Sequence, residues 1–338
     1  MAQPIDPEPL LSAWRALSEQ AEGAGWRTIQ VGSFGPIRTL AGRHFPGNQE
    51  ALLALFPSAH LPAPNALPSG RGFAVSRTSF DGPNAACRWI CLSREEGGDL
   101  SLFTAMAEDV LGVLRSLEGT KESVVLASFL ERISAWQKFM EKDRGGILSR
   151  EAEVGLFGEL LVLRDLLAAG LDPADLVDAW QGPLDGLHDF VLGRGAVEVK
   201  TTLSPAGGVA MIGSLEQMDE SLVCPLFLAE VRILLQEGGE TLPRLAETLR
   251  ETLKGDPLAA ERLGSRLLKA GLLDTKAQGY ERAFRKNGIR FIQVQDGFPR
   301  LTRASVPSGI RSARYEIDLD RLPESDVSLP TLLELLGV

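Results

Sequence analysis

The sequence predicts a mixed α/β to α+β protein built from two domains. Its 338 residues exceed what one ordinary domain needs, and 44% of them are hydrophobic, which is typical of a chain that buries a core. Segments with the two-residue period of a strand alternate with segments of helical period along the whole chain. A polar break at Asp143-Arg144-Gly145-Gly146 separates a predicted first domain at residues 1–145 from a second at 146–338.

The first domain reads as a smaller α+β unit. Hydrophobic periodicity predicts helices at 8–22, 48–56, 99–117 and 121–142, and strands at 26–31, 37–40, 73–79 and 88–93. Asp81-Gly82-Pro83-Asn84 is a turn signal between the last two strands. This part of the sequence carries no catalytic motif.

The second domain opens with a long helix from Ser149 to about Ala169. Ser149 is a suitable N-cap, acidic residues occupy the first turn, and Gly170 ends the helical pattern. Later patterns predict strands at 175–180, 187–192, 197–202, 209–212, 225–235, 289–294 and 313–319, and helices at 241–254, 258–270 and 329–336.

One stretch, 187–202, concentrates residues with chemical potential. Asp189 directly precedes a short apolar run at 190–192, and Gly193 and Gly195 then make a tight turn. The strand after the turn carries Glu198 and Lys200 on one face, because alternate side chains of a strand point the same way. The predicted hairpin therefore brings two carboxylates and one ammonium group close together.

This residue set suits a divalent cation. Two adjacent carboxylates repel each other, and a hard cation such as Mg²⁺ relieves that repulsion. The ion keeps several water ligands and can also bind a phosphate oxygen. A lysine at the same place can orient the attacking water and balance charge on phosphorus. The pattern therefore points to phosphodiester hydrolysis, although a Glu-x-Lys pair on the solvent face of an edge strand is also common in proteins without activity.

The spacing Asp-x8-Glu-x-Lys across a hairpin resembles the PD-(D/E)XK signature of restriction-endonuclease-like nucleases. The run GLFGELLVL at 155–163, the pair His188-Asp189 and VEVKTT at 197–202 resemble more closely a bacterial family of PD-(D/E)XK motif proteins with unassigned activity. The resemblance covers most of the chain. It implies a restriction-endonuclease-like core, a mixed sheet flanked by helices, preceded by the smaller α+β domain.

The same resemblance implies roles for single residues. Asp189 and Glu198 would bind Mg²⁺, or Mn²⁺ in its place, with the Val199 carbonyl as a further ligand, and Lys200 would position the attacking water. Glu159 on the long helix is either a third carboxylate of the site or a surface residue. His188 replaces the proline of the superfamily name, and a regular strand would point it to the opposite face, as a structural histidine.

Charge distribution leaves two interpretations of nucleic-acid binding open. The net charge is −10, which disfavours a nucleic-acid partner, but residues 262–315 carry twelve lysines and arginines against three acids. Within this region Arg282, Arg285, Lys286 and Arg290 are candidate nucleic-acid ligands. The alternative is a solvated surface whose cations pair with acids elsewhere.

Cysteine content and hydrophobicity exclude several other classes of protein. Three cysteines argue against a disulfide framework, and Cys87 and Cys91 lack the partners that a zinc site needs. No apolar run approaches the roughly 18 residues of a membrane span, and the N-terminus lacks a secretory signal, so we expect a cytoplasmic protein.

The residues and the resemblance together predict a Mg²⁺-dependent endonuclease, acting on DNA, and the resemblance implies a role in bacterial restriction or phage defence. The resemblance suggests a homodimer and partner proteins of such a system. A catalytically silent nucleic-acid-binding or assembly subunit with the same fold is the main alternative, and an enzyme acting on a small phosphate ester is a third.

Overall fold

The computed structural model describes residues 8–18, 24–80, 89–141, 147–184, 186–203, 208–322 and 326–338. The chain divides into two compact units, Met1–Gly145 and Gly146–Val338. Outside the described residues lie the turn predicted at 81–84, Cys87, residues 19–22 of the first predicted helix and the whole break at 143–146.

In its described residues, the first unit is a six-stranded antiparallel sheet with three α-helices. The strands run in the order β1-β2-β3-β6-β5-β4. Their bounds are β1 Gly25–Phe34, β2 Ile37–Phe45, β3 Gln49–Leu55, β4 Ser69–Gly70, β5 Phe73–Thr78 and β6 Trp89–Arg94, and the helices are α1 Glu8–Ser18, α2 Leu100–Ser116 and α3 Glu122–Glu141.

The helix predicted at 48–56 is wrong, because the segment forms strand β3. This strand lies between β2 and β6, and nearly all its residues are buried. A central strand that is buried on both faces shows no alternation of polar and apolar residues, so a short apolar run of this kind cannot be told from a helix by periodicity.

The second unit is built on a five-stranded mixed sheet in the order β13-β11-β10-β8-β7. Strands β8 and β10 are parallel, and the remaining neighbours are antiparallel. A separate two-stranded ribbon pairs β9 with β12. The strands are β7 Phe190–Leu192, β8 Gly195–Thr202, β9 Val209–Ile212, β10 Leu226–Thr241, β11 Ala283–Val294, β12 Tyr315–Asp318 and β13 Asp326–Val327.

Two apolar clusters hold the second unit together, one for each face of the sheet. Alternate residues of β8 and β10, such as Val197 and Phe227, join a large cluster with the helices. The opposite set, such as Ala196 and Leu228, packs with residues of β9 and β12. The helices are α4 Arg150–Ala168, α5 Pro173–Ala179, α6 Leu242–Thr252, α7 Pro257–Ala270 and α8 Leu329–Leu336.

The strand predicted at 175–180 is also wrong, because this segment forms helix α5. Asp172 caps the helix by accepting a hydrogen bond from the Asp175 amide at 3.0 Å, and Pro173 occupies the first turn. This cap-and-proline pair is a helix start signal that outweighs the short apolar run behind it. Helix α4, by contrast, begins where predicted, with Ser149 accepting from the Ala152 amide.

No helix follows β8 directly in the described residues. The chain passes through β9 into β10, and helices α6 and α7 come only after β10. Within the described ranges, every helix is too short or too polar to span a bilayer.

Candidate active site

The hairpin predicted around Gly193 is present as strands β7 and β8. Leu192 pairs with Gly195 and Phe190 with Val197, so the turn contains two residues. Gly193 has φ +54°, and a Cβ there would overlap the Leu336 carbonyl oxygen. Glycine is therefore required at this position by both backbone conformation and space.

Strand β8 separates its side chains as the alternation predicts. Val197 and Val199 belong to the apolar cluster with the helices, whereas Glu198 and Lys200 point to the other face. The Lys200 ammonium donates to Glu198 Oε1 at 2.8 Å. Glu198 is 3% exposed, so this carboxylate is buried with the lysine as its partner.

Asp189 occupies the edge that β7 leaves open. The paired part of β7 begins at Phe190, opposite Val197, and beyond it Asp189 Oδ2 accepts the Val199 amide at 2.7 Å. The N–H and C=O groups of one strand residue point to the same neighbour. The Val199 carbonyl therefore also faces the open edge on which Asp189 lies.

Helix α4 brings Glu159 to this edge. A Cβ on Gly158 would overlap the Thr201 hydroxyl, so the absence of a side chain lets the helix lie directly on β8. The next residue, Glu159, accepts a hydrogen bond from Trp180 Nε1 at 2.8 Å. The Glu159 carboxylate is therefore held beside this edge by Trp180.

Asp189 and Glu159 converge on one point. The position that a Cβ on Gly182 would occupy is 3.0 Å from Asp189 Oδ1, and Glu159 Oε2 lies closer still. Gly182 follows the bridge between Trp180 and Phe190, so the segment after α5 forms one wall of the site. The two carboxylates thus share a small space that only glycine leaves open.

Burial perturbs both carboxyl groups. Desolvation raises the pKa of Glu159 to about 7, against a smaller lowering by the Trp180 hydrogen bond. Desolvation also raises the pKa of Asp189 well above its usual range, and the charges of Glu198 and Glu159 add to it. Enclosed acids held near each other are typical of a site that a positive group completes.

The orientation predicted for His188 is wrong. His188 precedes the paired part of β7, so the alternation of a regular strand does not apply to it. Its Nδ1 lies 3.6 Å from Glu198 Oε2, on the side of the site. The side chain is 3% exposed.

The fit of a divalent cation rests on two carboxylates. Across the described residues, no set of three or more His, Cys, Asp or Glu side chains is already arranged around a common point for a metal. Asp189 and Glu159 nevertheless converge, and one or two carboxylates plus water and phosphate commonly hold Mg²⁺. The residues therefore fit a magnesium-like ion, with Glu198 turned toward Lys200 as the structure stands.

The four candidate nucleic-acid ligands all have partners. Arg282 pairs with the buried Glu153, Lys286 with Asp165, and Arg290 with Glu230 and Asp326. Arg285 donates to the Gln236 amide oxygen at 2.5 Å. These contacts agree with the interpretation in which the basic groups pair with acids elsewhere in the fold.

The hairpin with Asp189, Glu198 and Lys200, on a mixed sheet packed by helices, is compatible with the PD-(D/E)XK class of folds. A family model described as "Putative PD-(D/E)XK family member, (DUF4420)" matches residues 10–320. The chain belongs to this family, which confirms the resemblance predicted from its motifs. Searches of curated proteins and of solved structures found no match.

Sequence patterns did not predict two residues that line the candidate site, Trp180 and Gly182. Trp180 lay in a segment predicted as a strand, and the Asp172-Pro173 start signal could have placed it just after a helix instead. Gly182 carries no local signal, because its importance comes from two carboxylates that reach it from distant segments.

Proposed function

We propose that this protein is a metal-dependent nuclease that hydrolyses phosphodiester bonds in DNA. The observation that supports this most is the convergence of Asp189 and Glu159 beside the Glu198–Lys200 pair. These residues come from a hairpin and a helix, and burial raises the pKa of both Glu159 and Asp189. PD-(D/E)XK proteins in general are nucleases that use divalent metals, which supports the same assignment.

In this proposal each residue has one task. Asp189 and Glu159 hold the cation, the Val199 carbonyl faces the same edge, and Glu198 completes the acidic set. The ion, Mg²⁺ or Mn²⁺, supplies positive charge against the phosphate in the transition state. Lys200 positions the attacking water and offsets charge on the phosphorus.

The role in restriction or phage defence, the homodimer and the partner proteins follow from the resemblance of the motifs alone. DNA is the substrate that the superfamily favours. The paired cations of β11 indicate that non-specific attraction to the phosphate backbone is weak unless substrate displaces their acidic partners.

A cleavage assay tests the proposal. Supercoiled plasmid, linear duplex and single-stranded DNA would be incubated with Mg²⁺ or Mn²⁺, with EDTA as the control. We expect metal-dependent cutting that is lost in Lys200→Ala and retained in Lys254→Ala, since Lys254 is an exposed lysine outside the site. Thermal melts of both variants separate loss of chemistry from loss of fold, and cutting that survives Lys200→Ala would contradict the proposal.

The alternative is a silent subunit that binds nucleic acid or assembles with partners. The engagement of Glu198 by Lys200 and the lack, among the described residues, of a preformed three-donor set favour it. Such a protein would bind its partner equally well in Mg²⁺ and in EDTA. The nuclease would instead bind DNA more tightly with Ca²⁺, an oxygen-seeking ion that can occupy the site without supporting cleavage.

A further inference from the structure

His188 has an unusual environment for a buried histidine. The side chain is 3% exposed, and neither Nδ1 nor Nε2 has a hydrogen-bond partner. A buried polar group without a partner is destabilising, and most such groups in proteins are hydrogen-bonded. A buried imidazole that lies beside a carboxylate without a hydrogen bond therefore needs an explanation.

The neighbour of the imidazole is the carboxylate of Glu198. Nδ1 lies 3.6 Å from Glu198 Oε2, which is too long for a hydrogen bond. The other oxygen, Oε1, accepts from Lys200 at 2.8 Å. Glu198 therefore has two nitrogen atoms beside it, the Lys200 ammonium as a hydrogen-bond donor and the His188 Nδ1 just out of hydrogen-bond range.

We propose that His188 is a positioning residue for Glu198. On loading of the site with a cation, Nδ1–H donates to Oε2 and the gap closes to hydrogen-bond length. The imidazole and Lys200 then hold the carboxylate from its two ends, so that it faces the cation held by Asp189 and Glu159. The inference rests on the proposed metal-dependent function.

The backbone supports a coupled arrangement. His188 and Asp189 are adjacent, and Asp189 is itself anchored by the Val199 amide at 2.7 Å. The segment that places Asp189 at the open edge thus also places the imidazole against Glu198. Groups that orient metal ligands from behind typically change metal affinity by about 10- to 100-fold when they are removed.

Metal affinity gives the first test. Mn²⁺ would be titrated by calorimetry into the full-length wild type, His188→Leu, His188→Asn and the exposed-histidine control His44→Leu. We expect His188→Leu to weaken Mn²⁺ binding by about tenfold or more, His188→Asn to retain most of the affinity because it still offers an N–H donor, and the control to match the wild type.

Proton NMR with Mg²⁺ gives a readout that is independent of affinity and of activity. We expect a downfield imidazole N–H resonance to appear when Mg²⁺ is added to the wild type. That signal should be absent in Glu198→Ala. If His188→Leu does not fold, this measurement and His188→Asn still decide the question.

The outcomes separate the inference from the proposed function. Wild-type affinity in His188→Leu, with binding lost in Asp189→Asn, would overturn the role of His188 and leave the metal site standing. Equal loss in His188→Asn and His188→Leu, without the N–H resonance, would reduce His188 to packing. No Mn²⁺ binding by the wild type would refute both.

Discussion

The free energy of unfolding of the wild type should fall as the pH rises, because Glu159 ionises while buried. Replacing Glu159 with glutamine should abolish this fall. Burial raises the pKa of Glu159 from 4.5 to about 7, so the folded protein keeps a proton there that the unfolded chain has already released. The contribution of this group to stability is complete below about pH 4.5 and is lost as the pH rises through 7. Above that pH, an ionised carboxylate sits in a poorly solvated space.

The size of the effect follows from the shift. One pKa unit corresponds to about 1.4 kcal/mol, so the rise from 4.5 to about 7 for Glu159 amounts to at most about 3–4 kcal/mol in the free energy of unfolding. Glutamine is neutral at every pH and keeps an oxygen that can accept from Trp180. At pH 8 without metal, Glu159→Gln should therefore be more stable than the wild type by up to this amount, and near pH 4.5 the two should agree.

Urea unfolding from pH 4.5 to 8 in EDTA, followed by tryptophan fluorescence, measures this difference. Glu151→Gln is the control, because Glu151 is exposed in the first turn of the same helix. A difference between wild type and Glu159→Gln that does not grow across this pH range would refute the reasoning. Adding Mg²⁺ at pH 8 should stabilise the wild type more than the variant, because the ion needs the ionised carboxylate.

Two further predictions use matched pairs of positions. Gly158→Ala should destabilise the protein by about 1–3 kcal/mol in denaturant unfolding, because the added Cβ overlaps Thr201. On the same helix, the Cβ of Gly155→Ala meets no atom within 4 Å, so this variant should be more stable than the wild type by up to about 1 kcal/mol in the same assay. Arg282→Ala should cost on the order of 3 kcal/mol because its carboxylate partner is fully buried, whereas Arg285→Ala loses only a contact with an amide and should change the thermal midpoint little. Equal effects within either pair would contradict the contacts.

Local patterns predicted the part of the site that is itself local. The alternation of Val197, Glu198, Val199 and Lys200 gives the correct faces, and the glycine turn gives the correct pairing, because both depend only on near neighbours in sequence. The resemblance of the motifs added Glu159, whose place depends on how a helix docks.

The remaining features depend on contacts between distant segments. Strand β3 lacks alternation because it is buried on both faces, and His188 escapes alternation because it lies just before the paired strand. The meeting of Asp189 and Glu159 at Gly182 depends on the bend after α5. None of these follows from a period of two or of 3.6 residues.

The short turn between β7 and β8 and the long connection from β8 to β10 have a consequence for the order of folding. Asp189, Glu198 and Lys200 lie within twelve consecutive positions on a hairpin with a two-residue turn, so few residues must be ordered before they meet. The parallel partner β10 begins at Leu226, beyond a long crossover that contains β9. Because contacts between distant positions form slowly, we expect the hairpin to assemble first, and pulsed hydrogen exchange should protect the Val197 amide before those of β10.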